Sequence, residues 1–189
     1  MKKIAVLALQ GAFAEHRKML DKLGVESFEV RQRADWKQEK GGLIIPGGES
    51  TTMLKLLNEL DLMESVRADI EQGLPVFGTC AGLILLARQV EGDTLHRIST
   101  MDMHVCRNSY GRQLGSFFIE HPLEGIAHPI PMTFIRAPHI MSVGQEVEVL
   151  ATVNNRIVAA RQGKQLVTAF HPELNDDTAV HRLFLDMIG

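Results

Sequence analysis

The chain has 189 residues, of which 45% are hydrophobic and 23% charged, and its formal net charge at pH 7 is −3. A chain of this size and composition can bury a substantial core, which excludes intrinsic disorder. Its basic residues are dispersed, and its longest uncharged apolar run, residues 81–87, is far too short to cross a bilayer. We therefore expect neither a nucleic acid nor a membrane as partner. We predict a single cytoplasmic domain, residues 1–189, because no linker or repeat occurs and the first apolar segment is too short for a signal peptide.

Predicted strands and helices alternate in the first half. Residues 4–9 form a continuous apolar run, which is typical of a parallel strand buried on both faces, and a helix is predicted over residues 12–23. A later helix is predicted to begin at residue 52, with Ser50 or Thr51 as its cap. The alternation predicts an α/β fold with an open, mostly parallel sheet and helices on both faces. Further strands are predicted at 27–30, 43–45 and 76–77, and further helices at 52–60, 62–72 and 83–88.

The second half is richer in β-strand patterns. The pairs Asn154-Asn155 and Gln162-Gly163 are typical of hairpin turns, and Asp176 or Asp177 is a candidate cap for a last helix. We therefore expect β-hairpins added to the parallel sheet. The short β-like runs are residues 116–119, 132–135, 147–153, 156–160 and 166–170.

Cys80 lies between Gly78 and Gly82, directly after a predicted strand and before an apolar helix. The nucleophile elbow of α/β hydrolases has this layout with a serine. The glycines permit close backbone approach, and a helix N-terminus favours a thiolate. The pattern predicts a nucleophilic cysteine, and the alternative is a buried structural one.

Two cysteines indicate no disulfide framework, and the eight histidines lack metal-ligand spacing, so we expect neither metal nor cofactor.

The segment Phe170-His171-Pro172-Glu173 follows another predicted strand. A cysteine nucleophile needs a base, and the base needs a group that orients it. His171 offers an imidazole and Glu173 a carboxylate, with the φ of Pro172 fixed between them. Together with Cys80 they form a candidate triad. Taken alone, the segment is equally consistent with a surface histidine and glutamate at a strand exit.

A glycine pair, Gly47-Gly48, stands between a predicted strand and a predicted helix. Free backbone N–H groups in such a turn can hold an oxyanion or a carboxylate. The lysine that a phosphate-binding P-loop requires is missing. The alternative is a plain turn with Ser50 as the helix cap.

These segments together resemble the class I glutamine amidotransferases and, within that class, the glutaminase subunits of pyridoxal 5′-phosphate synthase. The resemblance implies a flavodoxin-like α/β fold and hydrolysis of L-glutamine to glutamate and ammonia. It also implies a partner, a separate synthase (lyase) subunit that uses the ammonia to build vitamin B6. The strings that carry it span almost the whole chain: LQGA at 9–12 with EH at 15–16, PGGESTT at 46–52, FGTCAGL at 77–83, RNSYGRQ at 107–113, FIRAP at 134–138 and FHPEL at 170–174.

The resemblance also implies roles for individual residues. Cys80 is the expected nucleophile, His171 the general base and acid, and Glu173 the residue that orients His171. The oxyanion would be held by the N–H groups of Gly48 and Ala81, and the Gln10-Gly11 turn would face the synthase. The residues expected to bind L-glutamine are Gly48, Glu49, Ser50, Arg107, Ile135 and Arg136.

A chain of this length has no room for an ammonia-using domain, so we expect a device that keeps the lone subunit inactive. The Gly47-Gly48 peptide is the candidate, because glycine peptides flip at little steric cost. Three alternatives remain at this stage: a free-standing cysteine amidase or hydrolase, a glutaminase subunit serving another synthesis such as that of histidine, and a non-catalytic scaffold subunit.

The elbow pattern generates a first prediction. Cys80→Ala is expected to abolish glutamine hydrolysis, whereas Cys106→Ala, outside any elbow, leaves it nearly intact. Ammonia release from L-glutamine measures both. Equal loss in the two variants would overturn the assignment of the nucleophile.

Overall fold

The structure, a computed structural model, describes residues 2–107 and 116–189. The helices in these residues are α1 (Phe13–Lys22), α2 (Arg33–Trp36), α3 (Ser50–Glu59), α4 (Met63–Glu71), α5 (Ala81–Leu86) and α6 (Ala179–Asp186), with a 3₁₀ turn at Pro172–Leu174. The strands are β1 (Ile4–Leu7), β2 (Ser27–Val30), β3 (Gly42–Ile45), β4 (Val76–Thr79), β5 (Ala87–Val90), β6 (Met101–Cys106), β7 (Ser116–His121), β8 (Ile130–Ile135), β9 (His139–Val143), β10 (Glu148–Val153), β11 (Arg156–Gln162) and β12 (Gln165–Thr168).

The central sheet has the strand order β2-β1-β3-β4-β12-β11-β9-β6-β5, and β10 pairs with β11. The strands from β2 to β12 in this order are parallel neighbours, while β12, β11, β9 and β6 pair antiparallel. Strands β7 and β8 form a separate antiparallel ribbon. The prediction of a mostly parallel α/β sheet with hairpins added in the second half is confirmed.

The parallel strands carry the core. Every residue of β1, β3 and β4 is buried, which explains their uninterrupted apolar sequences. Because parallel strands end at the same edge, the segments that follow β1, β3, β4 and β12 meet there. These segments contain the candidate triad, the Gly47-Gly48 pair and the Gln10-Gly11 turn. Within the described ranges, no helix is long and apolar enough to cross a membrane.

Several local predictions are corrected by the structure. Helix α5 begins at Ala81 rather than residue 83, and it ends at Leu86 because Ala87 turns to extended backbone and enters β5, which pairs with β6. Helix α3 is capped by Glu49, not by Ser50 or Thr51. The Glu49 carboxylate accepts hydrogen bonds from the N–H groups of Thr51 and Thr52, at 3.0 and 2.7 Å.

Turns and the last helix follow the predictions more closely. Asn154 and Asn155 have φ angles of 51° and 61° and join β10 to β11 as predicted. The next hairpin turn lies one residue later than predicted, at Gly163 and Lys164. Of the two candidate caps, Asp177 accepts a 2.8 Å hydrogen bond from the first N–H of α6, whereas Asp176 pairs with Lys22. Helix α2 and strands β5, β6 and β9 were not singled out by their sequence patterns.

Close backbone packing at α5 generates a stability prediction. A Cβ on Gly82 would lie 2.3 Å from the carbonyl oxygen of Ile45. Gly82→Ala therefore forces β3 and α5 apart, and we expect a loss of about 3 kcal/mol in the free energy of unfolding, measured by denaturant titration. Gly163→Ala is the control, because nothing lies within 4 Å of its Cβ and only the positive φ of 56° opposes it, at about 1 kcal/mol. Equal losses in the two variants would contradict the steric argument.

Candidate active site

Cys80 occupies a strained turn between β4 and α5. Its φ of 50° and ψ of −97° lie outside the regions that non-glycine residues favour. Its N–H donates a 2.8 Å hydrogen bond to the carbonyl of Thr168 at the end of β12, which fixes the turn against the sheet. Cys80 thus stands at the carboxyl edge of the sheet and at the N-terminus of α5, as the elbow pattern predicts. Only 7% of its surface is exposed.

His171 and Glu173 lie beside it, at the start of the 3₁₀ turn. The Nδ1 atom of His171 is 2.6 Å from Oε1 of Glu173, and the Glu173 side chain is fully buried. Burial by itself lowers the pKa of His171, but hydrogen bonds to Cys80 and Glu173 and their charges outweigh it and raise that pKa to about 10. The ring is therefore protonated at neutral pH. Since Nδ1 is engaged by Glu173, Nε2 is left for the thiol.

The Gly47-Gly48 segment is pressed between His171 and the turn after β1. A Cβ on Gly47 would lie 2.2 Å from Cε1 of His171, and one on Gly48 would lie 2.2 Å from Oε1 of Gln10. The carbonyl of Gly47 accepts a hydrogen bond from Ala12, and Oε1 of Gln10 accepts one from the N–H of Glu49. The two loops therefore form one hydrogen-bonded unit beside the imidazole.

A cavity of about 600 Å³ opens over Cys80. This volume is within the usual range for small-molecule sites. It is lined by Cys80 and His171, by the predicted turn residues Gln10 and Gly11, and by the predicted binding residues Gly48, Glu49, Ser50, Arg107, Ile135 and Arg136. Ala81 and Glu173 are buried behind this lining. A larger depression of about 1410 Å³, near Lys2 and Gly189, contains neither cysteine nor histidine.

Two predicted binding residues have other partners as well. The Glu49 carboxylate caps α3, and hydrogen bonds from the Thr52 hydroxyl and from backbone N–H groups lower its pKa to about 2 against a smaller effect of burial. Arg107 donates from Nη2 to Asp93 at 2.8 Å and so forms a structural ion pair, while the residue still lines the cavity. The rest of its string, residues 108–113, lies outside the described residues.

The sequence patterns missed a buried histidine pair. Nδ1 of His16 lies 2.8 Å from Nε2 of His181, and Nε2 of His16 lies 3.1 Å from the Thr79 hydroxyl. Both rings are fully buried behind Glu173. A signal existed for His16, because it shares a helical face with the buried Met19 and Leu20. In the described ranges, no cluster of three or more His, Cys, Asp or Glu side chains could hold a metal ion.

Comparison with solved structures gives the class of protein. A crystal structure of a glutamine amidotransferase matches this chain with a TM-score of 0.93 and 44% identity, and the match covers 98% of both chains. A glutamine amidotransferase from Thermotoga maritima, 14% identical with a TM-score of 0.63, covers 98% of this chain and 83% of its own and shares the fold alone. The fold is that of the class I glutamine amidotransferases.

Sequence comparison identifies the family within that class. The SNO glutamine amidotransferase family model matches residues 6–189, and the chain belongs to this family. Curated relatives from Streptococcus pneumoniae strains CGSP14 and JJA are 57% identical over 188 residues, which cover 98% of this chain and 96% and 97% of theirs. Both are named pyridoxal 5′-phosphate synthase subunit PdxT. The family resemblance predicted from the motifs is confirmed.

The contacts of His171 generate a prediction for the triad. We expect His171→Ala to reduce turnover as much as loss of Cys80, because members of a triad act as a unit. Glu173→Gln is expected to reduce turnover less and to lower the pKa of His171, since the carboxylate raises it. Turnover assays and an NMR titration of the His171 ring measure these effects. If Glu173→Gln changed neither quantity, the group that orients His171 would lie elsewhere.

Proposed function

We propose that this chain hydrolyses L-glutamine to L-glutamate and ammonia through Cys80, His171 and Glu173, and supplies the ammonia to the synthase subunit of pyridoxal 5′-phosphate synthase. The observation that carries the proposal is the link of His171 to both Cys80 and Glu173 beneath a small cavity. The 57% identity to subunits named for that synthase supports the partner and the pathway.

In the proposed reaction, the Cys80 thiolate attacks the side-chain amide carbon of glutamine, and a C–S bond forms. His171, protonated at neutral pH, donates its proton to the amide nitrogen, the C–N bond breaks and ammonia leaves a thioester. The neutral ring then takes a proton from water, whose oxygen attacks the thioester. The C–S bond breaks and glutamate is released.

The oxyanion of each tetrahedral intermediate would be held by the N–H groups of Gly48 and Ala81. The Ala81 N–H is at the start of α5, where no intrahelical acceptor is available. The carbonyl of Gly47 points to Ala12, and in a trans peptide the N–H of Gly48 then points the opposite way. Each such donor lowers the barrier by about 3–4 kcal/mol.

Substrate recognition is assigned to the charged and polar lining of the cavity. Arg107 and Arg136 each present a guanidinium group that matches a carboxylate with two hydrogen bonds. Gly48, Glu49, Ser50 and Ile135 complete the proposed glutamine site. Because Asp93 already holds one nitrogen of Arg107, the orientation of that guanidinium is fixed before substrate binds.

The same loops offer a route for control by the synthase. Gln10 and Gly11 line the mouth of the cavity. Two hydrogen bonds join their loop to the Gly47-Gly48 loop, one from the Ala12 N–H to the Gly47 carbonyl and one from the Glu49 N–H to the Gln10 side chain. A synthase subunit that docks on Gln10 and Gly11 would therefore act directly on the peptide that carries the Gly48 N–H. This proposal gives the lone subunit an oxyanion site that is incomplete until the partner binds.

We further propose a cytoplasmic location and a single glutaminase domain, residues 1–189. Neither Cys80 nor Cys106 is in a disulfide, and the reducing conditions of the cytoplasm keep a nucleophilic cysteine in its thiol form. The buried apolar residues of both halves of the chain belong to one cluster, which supports one domain.

The test compares the purified subunit alone and with saturating cognate synthase. We expect the synthase to raise glutamine turnover by about 10²–10³-fold, the usual effect of an oxyanion-hole donor. Gly48→Val is expected to block this activation without unfolding the chain, because Gly48 is exposed and its Cβ meets mainly the flexible Gln10 side chain. Cys106→Ala serves as the control.

Other outcomes point to the alternative functions. Full activity of the lone subunit, with no response to the synthase, would favour a free-standing amidase. A failure to hydrolyse glutamine in the complex, despite a Cys80 thiol that reacts with an alkylating agent, would favour a scaffold subunit.

A further inference from the structure

The Glu173 carboxylate has one oxygen that the triad does not use. Oε1 faces His171, whereas Oε2 is buried and has no hydrogen-bond partner among the residues that the structure describes. The ring of His16 faces Oε2, with Nε2 at 3.6 Å. An unpaired carboxylate oxygen in a dry interior is destabilising, and the adjacent ring is the group placed to compensate it.

Both rings behind Glu173 are neutral at physiological pH. Burial lowers the pKa of His16 well below its ordinary value, and the charges of His181 and His171 lower it further. Burial lowers the pKa of His181 to about 3. Each ring therefore carries one proton, and the 2.8 Å contact between them requires one ring to donate and the other to accept.

Two arrangements of the protons satisfy the contact between His16 and His181. They differ at the other ring nitrogens, Nε2 of His16 and Nδ1 of His181. If His16 donates from Nδ1, the proton of His181 lies on Nδ1, a buried atom without a described partner, and the bare Nε2 of His16 faces the carboxylate. If His181 donates from Nε2, its unpartnered Nδ1 is only a lone pair, and His16 directs Nε2–H towards Thr79 and Glu173. Buried N–H groups without acceptors are rarer than unfilled acceptors, and a lone pair facing a carboxylate is repulsive. The second arrangement is favoured on both counts.

We propose that His16 is a positioning residue for this glutaminase: its Nε2–H, held in that tautomer by His181, fixes the second carboxylate oxygen of Glu173 and thereby aims Oε1 at His171. The proposal rests on the function proposed above. At 3.6 Å the contact is an ion–dipole interaction rather than a hydrogen bond, and the N–H is shared with the Thr79 hydroxyl at 3.1 Å. Catalytic contacts of this kind often tighten when substrate binds.

The position of His16 determines which kinetic constant it affects. His16 is completely buried and does not line the cavity, so it makes no contact with substrate. Its effect reaches the reaction through Glu173 and the proton transfers of His171. Loss of the N–H should therefore lower kcat and leave KM nearly unchanged.

The first experiment reads the tautomers directly, by ¹⁵N NMR of the histidine rings in the wild-type chain. We expect both His16 and His181 to carry their proton on Nε2 and to show no titration near the ordinary histidine pKa of about 6.5. A proton on Nδ1 of His16, or a His16 ring that is charged at pH 7, would overturn the proposal. This measurement requires no activity, so it remains decisive for the tautomer if the proposed glutaminase function fails.

The second experiment measures glutamine turnover of variants in complex with the cognate synthase. His16→Leu, which removes the donor, is expected to lower kcat by about 10-fold or more, as loss of a supporting hydrogen-bond partner commonly does. His16→Gln places an amide N–H at the same distance along the side chain and should retain kcat within about 3-fold of wild type. Met19→Leu, on the same buried face of α1, is the control for repacking.

Three results would contradict the positioning role. One is equal loss of kcat in His16→Leu and His16→Gln, and another is a rise in KM without a fall in kcat. The third is an unchanged His171 Nδ1 proton resonance in His16→Leu. If His16→Leu does not fold, His16→Gln and His16→Asn give the same comparison, because the shorter asparagine withdraws its N–H from Glu173. A wild-type complex that hydrolyses no glutamine would instead refute the proposed function itself.

Discussion

Close approach of backbone segments at the carboxyl edge of the parallel sheet is the constraint on which the whole site depends. Gly82 lets α5 start against the Ile45 carbonyl, and Gly47 lets the neighbouring loop touch the imidazole of His171. Gly11 makes a similar contact, since a Cβ there would lie 2.0 Å from the carbonyl oxygen of Gly47. Side chains at these positions would separate the three loops, and Cys80, His171 and Gly48 would no longer line one cavity. The glycines are thus required because a larger side chain would not fit between these segments, and the chemistry depends on how closely the segments approach.

Burial strengthens the interactions between the charged groups of the site. Glu173 is fully enclosed, and an isolated buried carboxylate would be strongly destabilising, so its partnership with the His171 ring is part of the fold as well as of the site. Burial lowers the pKa of all three histidines. His16 and His181 are neutral because they have no carboxylate of the described residues within hydrogen-bond distance, whereas His171 stays charged beside Glu173. One buried layer therefore holds a charged histidine beside the cavity and two neutral histidines behind it.

The antiparallel strands of the second half, in the central sheet and in the β7-β8 ribbon, contribute the walls of the cavity rather than its floor. Arg107 follows directly from the end of β6, and Ile135 and Arg136 lie at the end of β8. The N–H of His171 donates to the carbonyl of Thr133 within β8, so the ribbon is tied to the segment that carries His171 and Glu173. The elbow and glycine loop thus belong to the parallel layer, whereas the guanidinium groups assigned to substrate come from the added strands.

The sequence by itself determined the features that depend on neighbours along the chain. These include the buried parallel strands, the glycine-flanked Cys80 elbow, the His171-Pro172-Glu173 segment and the Asn154-Asn155 turn, because each is a local pattern of apolar runs, glycines or short spacings. Only the tertiary structure decided the features that join distant segments. His16 meets His181 across 165 positions, and no local pattern encodes that contact. Likewise, the end of α5 depends on the pairing of β5 with β6, and the orientation of Arg107 depends on Asp93. Such contacts form only when folding brings their partners together, since their geometry is set by the packing of the sheet.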